Sequence, residues 1–304
     1  MYLEIKNVYK SYGTKEVLKG ISFETGSGTA LGILGRNGAG KTTIIRILMN
    51  VFAADRGEIL IDGKPVDYKT VSFGYLPEER GLYPKRTIIE QLVYFAELKG
   101  MTRKEAVKAV EYWLRRMELS DQGNRKLETL SKGNQQKIQF ITALTHDPDI
   151  IVLDEPFSGL DPVNAGVLKE IVREQIEERK IVIFSSHQMN YVEEFCDRIA
   201  IIHQGVISIA GDLYAIKREY LRNKLVICSK DIEQIRSVYK NNTEKMGAHE
   251  LLFTVPANEK AQDVMIRIIN EFEIDEIRIY EPSLNDIFIE YTSEQDDKEE
   301  DGAA

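Results

Sequence analysis

The stretch "GRNGAGKTT", residues Gly35 to Thr43, decides the fold that this sequence predicts. It has the phosphate-loop spacing G-x-x-x-x-G-K-[ST], with the strand-like "ALGIL" before it and the helix-like "TIIRILMN" after it. Glycines allow backbone N–H groups to face a phosphate, Lys41 supplies a positive charge, and the Thr42 hydroxyl can hold Mg²⁺. We therefore predict a nucleotide site formed by Gly35, Arg36, Asn37, Gly38, Ala39, Gly40, Lys41, Thr42 and Thr43.

Two carboxylates lie at the end of the apolar run "IIVLDEP", which carries Asp154 and Glu155. A strand end beside a phosphate loop would place Asp154 near a metal and Glu155 where it can polarise a water molecule. The run "IFSSHQM" delivers His187 in the same way, where it can hydrogen-bond a γ-phosphate or orient water. We predict Glu155 and His187 as catalytic residues. Three other histidines have no such setting and are predicted to be structural: His146, His203 and His249.

The predicted fold class is α/β, with a mixed sheet, an antiparallel layer and a helical subdomain at about residues 80–148. Alternating runs predict the antiparallel layer, and short β-branched runs predict buried parallel strands. The alternating runs are "YLEIKNVYKSYG", "EVLKGISFET" and "EILIDGKPV"; the parallel-type runs are "TALGILG", "VSFGYLP", "DIIVLDEP" and "KIVIFSSH". The helical subdomain starts near Thr87, and Thr102 and Glu105 have the spacing of a capping box. This large domain is expected to span residues 1–216.

A smaller α/β domain is predicted at 217–292, from a second alternation of short strands and helices that includes "KLVICS", "ELLFTV" and "IDEIRIY". The remaining residues, 293–304, are acidic and offer no apolar side chains to bury, so we predict a disordered tail there.

Composition excludes several classes of protein. The net charge of −9 argues against a nucleic-acid surface, which needs clustered Lys and Arg. Cys196 and Cys228 are too few for a disulfide framework and predict two thiols in a reducing cytosol. The first residues lack the pattern of a signal peptide, and no run approaches the ~20 apolar residues that span a bilayer. We therefore expect any membrane association to depend on another protein.

A second possible anion site lies in "TLSKGNQQK", Thr129 to Lys137. Ser131 and Gly133 stand at a predicted helix start, where backbone N–H groups and the helix dipole favour a negative charge. In an unrelated protein the same residues would only cap a helix.

Together these motifs resemble the nucleotide-binding subunit of ATP-binding cassette (ABC) transporters, over about residues 3–212. The resemblance implies that the chain binds ATP and Mg²⁺ and that "LSKGNQQK" is the family's signature motif. It also assigns roles by position: Tyr12 as the aromatic that stacks on adenine, Gly35 to Thr43 as Walker A, "IIVLDEP" as Walker B, Glu155 as the catalytic carboxylate, Asp161 as part of the D-loop, and His187 as the switch histidine.

The same resemblance implies two partners. In the family two cassettes meet head to tail, and the signature of one closes over the ATP held by the other. Ser131 and Gly133 would therefore contact a γ-phosphate on a second cassette, either identical or different. The second implied partner is an integral membrane permease, which would hold the chain on the cytoplasmic face of the cell membrane.

Two departures from the family pattern stand out. The signature has Lys132 and Asn134 where glycine and glutamine are usual, and "YLPEERGLYP" has Glu78 where the family has the Q-loop glutamine. A carboxylate at residue 78 can ligate Mg²⁺, but it adds negative charge beside the phosphates. The "LPEERGLYP" segment is similar to that of cassettes paired with export-type permeases, including sodium and drug efflux systems.

Other classes fit the residues less well. A soluble ABC ATPase acting on ribosomes or DNA usually has two cassettes or a long coiled coil, and a GTPase needs an N-K-x-D motif that "NKLV" at Asn223 lacks. A regulatory module that binds ATP without hydrolysis, or an ABC ATPase uncoupled from transport, stays open as the alternative because of Glu78.

Overall fold

The computed structural model describes residues 1–79, 81–186, 188–219, 223–256 and 258–301, with side chains through residue 292. The chain divides into two compact units, Met1–Leu213 and Tyr214–Ala304. The strands of the first unit are β1 (Tyr2–Tyr12), β2 (Lys15–Gly26), β3 (Thr29–Leu34), β4 (Arg56–Ile61), β5 (Lys64–Pro65), β6 (Phe73–Leu76), β7 (Ile150–Asp154), β8 (Ile181–Ser185), β9 (Arg198–His203) and β10 (Val206–Asp212). Its helices are α1 (Lys41–Leu48), α2 (Ile88–Leu98), α3 (Arg103–Arg116), α4 (Lys132–Leu144), α5 (Pro162–Glu177) and α6 (Met189–Phe195).

A six-stranded mixed sheet carries the functional loops, in the order β10-β9-β3-β8-β7-β6. The pairs β6–β7, β7–β8, β8–β3 and β3–β9 are parallel, and β10 pairs antiparallel with β9. Every residue of β7 and β8 is buried, as expected for parallel strands covered on both faces. The mixed sheet predicted from the sequence is confirmed.

A second sheet of four strands, in the order β2-β1-β4-β5, is antiparallel throughout. Its strands β1 and β2 alternate buried and exposed residues over much of their length, so they cover the core with one face. Side chains from this sheet, from α1 and from the mixed sheet form one core cluster that includes Ile5, Phe23, Ile45 and Val152. The core therefore fixes the start of α1 against β3.

The helical lobe contains α2, α3 and α4. Thr87 with Glu90 and Thr102 with Glu105 both form capping boxes, and the second was predicted from spacing alone. Two 3-10 turns, Ser120–Gln122 and Leu127–Thr129, connect α3 to α4.

The second unit is a small α/β fold with its own core. Its elements are α7 (Leu213–Glu219), β11 (Lys224–Cys228), α8 (Ile232–Val238), β12 (Thr243–Lys245), β13 (Glu250–Thr254), α9 (Ala261–Glu271), β14 (Glu276–Ile279) and α10 (Leu284–Asp301). The sheet is antiparallel in the order β12-β13-β11-β14. Leu225, Phe253, Val264 and Ile268 belong to its buried cluster.

Helix α10 begins at Leu284, and its backbone is helical through Asp301. Residues 293–301 are mostly Glu and Asp, and no Gly or Pro interrupts them before Gly302. Among the helices that the structure describes, none combines the length and apolar character required to cross a lipid bilayer.

Candidate nucleotide-binding site

The phosphate loop connects the end of β3 to the start of α1. Gly38 and Gly40 have φ values of 81° and 115°, which side-chain-bearing residues rarely adopt. A Cβ on Gly40 would lie 2.6 Å from the Leu18 side chain, so close packing also requires glycine there. Because Gly40 is the N-cap of α1, no side chain caps the first N–H groups of that helix. The loop therefore presents open backbone donors at a helix start.

Within the loop the predicted contact residues differ in exposure. Arg36, Asn37 and Gly38 are exposed, while Lys41, Thr42 and Thr43 are half-buried; Gly35, Ala39 and Gly40 are buried. The middle of the loop is therefore accessible to solvent, and the residues that lead into α1 are packed against the protein.

Lys41 is held by the loop that precedes it. Its Nζ donates to the Gly35 carbonyl oxygen at 2.7 Å and to the carbonyl oxygen of the next residue at 3.3 Å. Burial lowers the pKa of Lys41, and the charges of Glu155, Asp154 and Glu78 act in the opposite direction. The lysine thus lies within electrostatic range of all three predicted acidic site residues.

Asp154 is the last residue of β7 and is only 2% exposed. Its carboxylate accepts a hydrogen bond from the hydroxyl of Ser185 at the end of the neighbouring strand β8. Burial raises the pKa of Asp154, the charges of Glu78 and Glu155 add to that rise, and the bond from Ser185 opposes it. A buried carboxylate of this kind gains from a nearby cation.

Glu155 follows β7 in a left-handed backbone conformation, with φ of 51°. Its N–H donates to the Ser185 carbonyl oxygen at 3.0 Å, and its carboxylate accepts from the Ser186 hydroxyl at 3.2 Å. A non-glycine residue in this region is uncommon and costs free energy that the surroundings must offset. The two contacts to the end of β8 therefore aim the Glu155 side chain.

Ser185 and Ser186 belong to the site but were not assigned a role from the sequence. Their signal was present, since "SS" ends the run "IFSS" at the edge where β7 also ends. What the sequence could not give is that β7 and β8 are adjacent. His187, the next residue, lies outside the described residues.

Glu78 and Tyr12 are exposed members of the predicted set of site residues. Glu78 is an exposed residue two positions after the end of β6, and its charge acts on both Asp154 and Lys41. Tyr12 ends β1 and is 49% exposed, with its ring edge-on to Phe52 at 6.0 Å between centroids. An exposed, laterally supported ring is able to stack on a base.

The signature residues lie beside the predicted D-loop residue. The Ser131 hydroxyl caps α4 by accepting the Asn134 N–H at 3.3 Å. A Cβ on Gly133 would lie 3.3 Å from the amide of Asn164, and that amide donates to Asp161, the N-cap of α5. Ser131, Gly133 and Asp161 therefore form one surface group around two helix starts.

Hydrogen bonds from the backbone N–H of Asn164, together with its side chain, lower the pKa of Asp161. Asp161 also accepts the Val163 N–H at 3.0 Å. Its carboxylate is thus committed to shaping the start of α5.

The residues present fit a nucleotide triphosphate with a divalent cation. Open N–H donors and Lys41 suit phosphate oxygens, and the buried Asp154 with its raised pKa suits a divalent cation. The Thr42 hydroxyl stands in the first turn of α1, next to Lys41.

Two protein families match the chain by sequence. The family described as ABC transporter matches residues 18–158. The family described as ATP-binding protein DrrA1-3-like, C-terminal domain, matches residues 211–292.

Similar proteins span most of the chain. The uncharacterised ABC transporter ATP-binding protein YhaQ of Bacillus subtilis (strain 168) is 41% identical over 95% of this chain and 97% of its own length. The linearmycin resistance ATP-binding protein LnrL of the same organism is 37% identical over 69% of this chain and 68% of its own. The Nod factor export ATP-binding protein I of Rhizobium sp. (strain N33) is 29% identical over 97% of this chain and 98% of its own.

Solved structures share the fold. The ATP-binding subunit of an ABC transporter aligns with a TM-score of 0.66 and 30% identity, over 72% of this chain and 93% of that one. A dimeric ATP-binding cassette in a post-hydrolysis state, bound to ADP and Pi, aligns with a TM-score of 0.62 and 26% identity, over 69% of this chain and 98% of that one. The family resemblance, ATP binding and the ATPase class predicted from the motifs are confirmed. The chain therefore belongs to the ATP-binding subunits of ABC transporters, ATPases that power transport through a membrane permease.

Proposed function

We propose that this subunit binds Mg²⁺ and ATP between the loop Gly35–Thr43 and the ends of β6 and β7, and hydrolyses ATP with Glu155 as the general base. The observation that carries the proposal is that the phosphate loop, the Asp154–Glu155 pair and Glu78 all stand at one edge of the mixed sheet. These residues come from the loops that follow three strands of one parallel array, β3, β7 and β6. Such strand ends are where α/β sheets bind ligands.

In the proposed step Glu155 accepts a proton from a water molecule as the water oxygen attacks the γ-phosphorus. The bond from that phosphorus to the β–γ bridging oxygen breaks, and ADP leaves with the electron pair. Lys41 and the loop N–H groups stabilise the negative charge on the phosphates. The hydrogen bond from the Glu155 N–H to the Ser185 carbonyl oxygen, and the one from the Ser186 hydroxyl to the Glu155 carboxylate, hold Glu155 in place during the transfer. His187 is proposed to contact the γ-phosphate.

Thr42, Asp154 and Glu78 are the proposed holders of the cation, which would neutralise phosphate charge in the transition state. The raised pKa of Asp154 supports this assignment, because a bound cation would offset the cost of an ionised buried carboxylate. Tyr12 is proposed to stack on the adenine.

Two cassettes are proposed to close around two nucleotides, each supplying Ser131, Gly133 and Asp161 to the other's site. The grouping of these residues around the starts of α4 and α5 supports a shared contact surface. A helix start offers a positive dipole end without a second lysine loop. The partner cassette is a second copy or a related chain.

The helical lobe is the proposed docking place for the permease, on the cytoplasmic face of the membrane. It has a cavity of about 550 Å³ lined by residues that include Tyr83, Arg86 and Tyr94. Tyr83, Tyr94 and Leu98 are 53%, 48% and 64% exposed, which is a large apolar area for one surface. The names of the LnrL and Nod factor relatives support export as the direction of transport. We further propose residues 217–292 as a separate accessory domain.

The test is Glu155→Gln, which keeps the size of the side chain but removes the base. We expect nucleotide binding to persist while ATP turnover falls by ~10²- to 10⁴-fold, the usual contribution of a general base. The control is Glu111→Gln, an exposed glutamate on α3, which should leave both unchanged. Unaltered turnover in Glu155→Gln would remove Glu155 from the catalytic role.

A further inference from the structure

Gln139 is a buried polar residue in an otherwise apolar stretch of α4. It is 4% exposed, and its Nε2 lies 2.9 Å from the Pro77 carbonyl oxygen and 3.0 Å from that of Glu79. An amide nitrogen carries two N–H donors, so both are used. The two acceptors flank Glu78 on either side. One side chain therefore clamps the backbone on both sides of Glu78, the acidic residue whose charge acts on Lys41 and Asp154.

The loop at Pro77 has reason to need such a clamp. Proline has no N–H, so the backbone leaving β6 cannot extend its ladder at that residue. Burying an amide is unfavourable unless its hydrogen bonds are made. An apolar residue at this position in α4 would avoid the free-energy cost of burying an amide. The two hydrogen bonds to the loop therefore account for a glutamine there.

The same face of α4 also contacts the backbone next to a second acidic residue. Gln136, three residues earlier, has its Nε2 3.4 Å from the Pro156 carbonyl oxygen, next to Glu155. Residues three apart lie on one side of a helix. The helix that begins at Ser131 thus contacts the backbone beside both Glu78 and Glu155.

We propose that Gln139 is a positioning residue that sets Glu78 against the nucleotide site and links it mechanically to the signature helix. The inference rests on the proposed ATPase site. Contact of a second cassette with the start of α4 would move the helix as a unit, and Gln139 would pass that movement to Glu78. Gln139 itself touches no substrate and acts only through the loop.

The test is a double-mutant cycle on ATP hydrolysis between Gln139→Met and Glu78→Ala. Methionine matches glutamine in length and removes both donors. We expect Gln139→Met to lower kcat about tenfold, as the loss of ordered positioning implies. In the Glu78→Ala background the same substitution should have little further effect, because residues that act through one group are not additive. Independent, multiplying losses would overturn the proposal.

A second variant gives a readout that a general packing defect would not produce. Gln139→Glu places a carboxylate against two carbonyl oxygens, and only its protonated form can donate to one of them. Its kcat relative to the parent chain should therefore rise as pH falls. A constant ratio across pH would count against the clamp, and this variant also serves if Gln139→Met does not fold.

The matched control is Gln175→Met. Gln175 is 5% exposed and sits on α5, with its amide bonded to Glu178 and Lys180 rather than to the acidic loops. It should lower stability without changing kcat in folded protein. If the unsubstituted protein hydrolyses ATP but the cycle is additive, only the role of Gln139 fails; if the unsubstituted protein does not hydrolyse ATP, the proposed function itself fails.

Discussion

Asp154 is a buried acid, and its burial opposes its negative charge when no cation is bound. It is an acid placed 2% exposed beside two other carboxylates, and burial raises its pKa. A group whose pKa is raised on folding contributes stability below its unfolded pKa of about 3.8, and that contribution is lost as pH rises through the folded pKa. At neutral pH the ionised side chain therefore lowers the free energy of unfolding. Such a loss of stability is common where a residue serves function.

Asp154→Asn should accordingly stabilise the nucleotide-free protein at neutral pH. The asparagine oxygen can still accept the Ser185 hydroxyl, while the buried negative charge is gone. We expect a higher Tm at pH 7, a smaller gain at pH 4, and loss of the extra stabilisation that Mg²⁺ adds to ATP binding. Thermal unfolding with ATP, with and without Mg²⁺, measures all three. A lower Tm at pH 7 would show that the charge is not a cost.

His146 offers a second test at residue scale, far from catalysis. Its Nε2 donates to the Phe73 carbonyl oxygen at 3.0 Å, and its Nδ1 is buried with no hydrogen-bond partner among the described residues. Burial lowers the pKa of His146, and the charge of Lys99 acts in the same direction. A neutral buried histidine stabilises the fold above its unfolded pKa of about 6.5, and stability is lost as pH falls below that value.

The corresponding prediction is that His146→Gln reduces the loss of stability on acidification from about pH 6.5 to pH 5. Glutamine can donate to the same carbonyl but does not titrate. Chemical denaturation at both pH values measures the difference, with the exposed His249→Gln as control. Equal acid sensitivity in the parent chain and His146→Gln would contradict it.

Residues with a motif could be predicted from the sequence, and residues without one could not. Lys41, Asp154 and Glu155 stand in strong local patterns that carry their own chemistry. Gln139 sits in "IQFITAL", where nothing local shows that its amide reaches the loop after β6 some 60 positions earlier. Such contacts depend on which elements become neighbours, which single-sequence patterns do not specify.

At the scale of elements, the seam between β6 and α4 decides where Glu78 and Ser131 lie. Gly74 of β6 faces the end of α4, and a Cβ there would lie 2.2 Å from the Ala143 carbonyl oxygen and 2.8 Å from the Pro148 side chain. The strand and helix can approach this closely only because residue 74 is glycine. Other glycines have open space around them.

Gly74→Ala should therefore destabilise the protein by ~1–3 kcal/mol, the usual cost of overpacking. Gly166 within α5 has no atom within 4 Å of its added Cβ, and Gly166→Ala should stabilise by about 0.5–1 kcal/mol through helix propensity. Urea unfolding measures the free energy of unfolding of both variants, which carry the same Gly→Ala substitution at different positions. A Gly74→Ala variant as stable as its parent would mean that the seam is not tightly packed.

Helices and strands agree with the sequence-based prediction where the sequence pattern is long. The capping box predicted at Thr102 is present. The strand Thr243–Lys245 was missed because it is short and polar, and pairing with β13 supplies what its own sequence lacks.

Across the whole molecule, the site residues divide into two groups. In the proposed function each group is half of a different nucleotide site. We propose that the phosphate loop, Asp154 and Glu155 belong to one half, and that Ser131, Gly133 and Asp161 belong to the other. Only a second cassette can bring complementary halves together. The order of the motifs in the sequence predicts this organisation, whereas the identity of the partner depends on surfaces beyond this chain.

The most direct measurement mixes two inactive variants. Lys41→Ala disables the phosphate loop but keeps the signature, and Ser131→Arg disables the signature but keeps the loop. Each alone should hydrolyse little ATP. Equal amounts together should recover roughly a quarter of the activity of the parent chain, because half the dimers are mixed and each mixed dimer has one intact site. A mixture that stays as inactive as its components would contradict a site completed by a second copy.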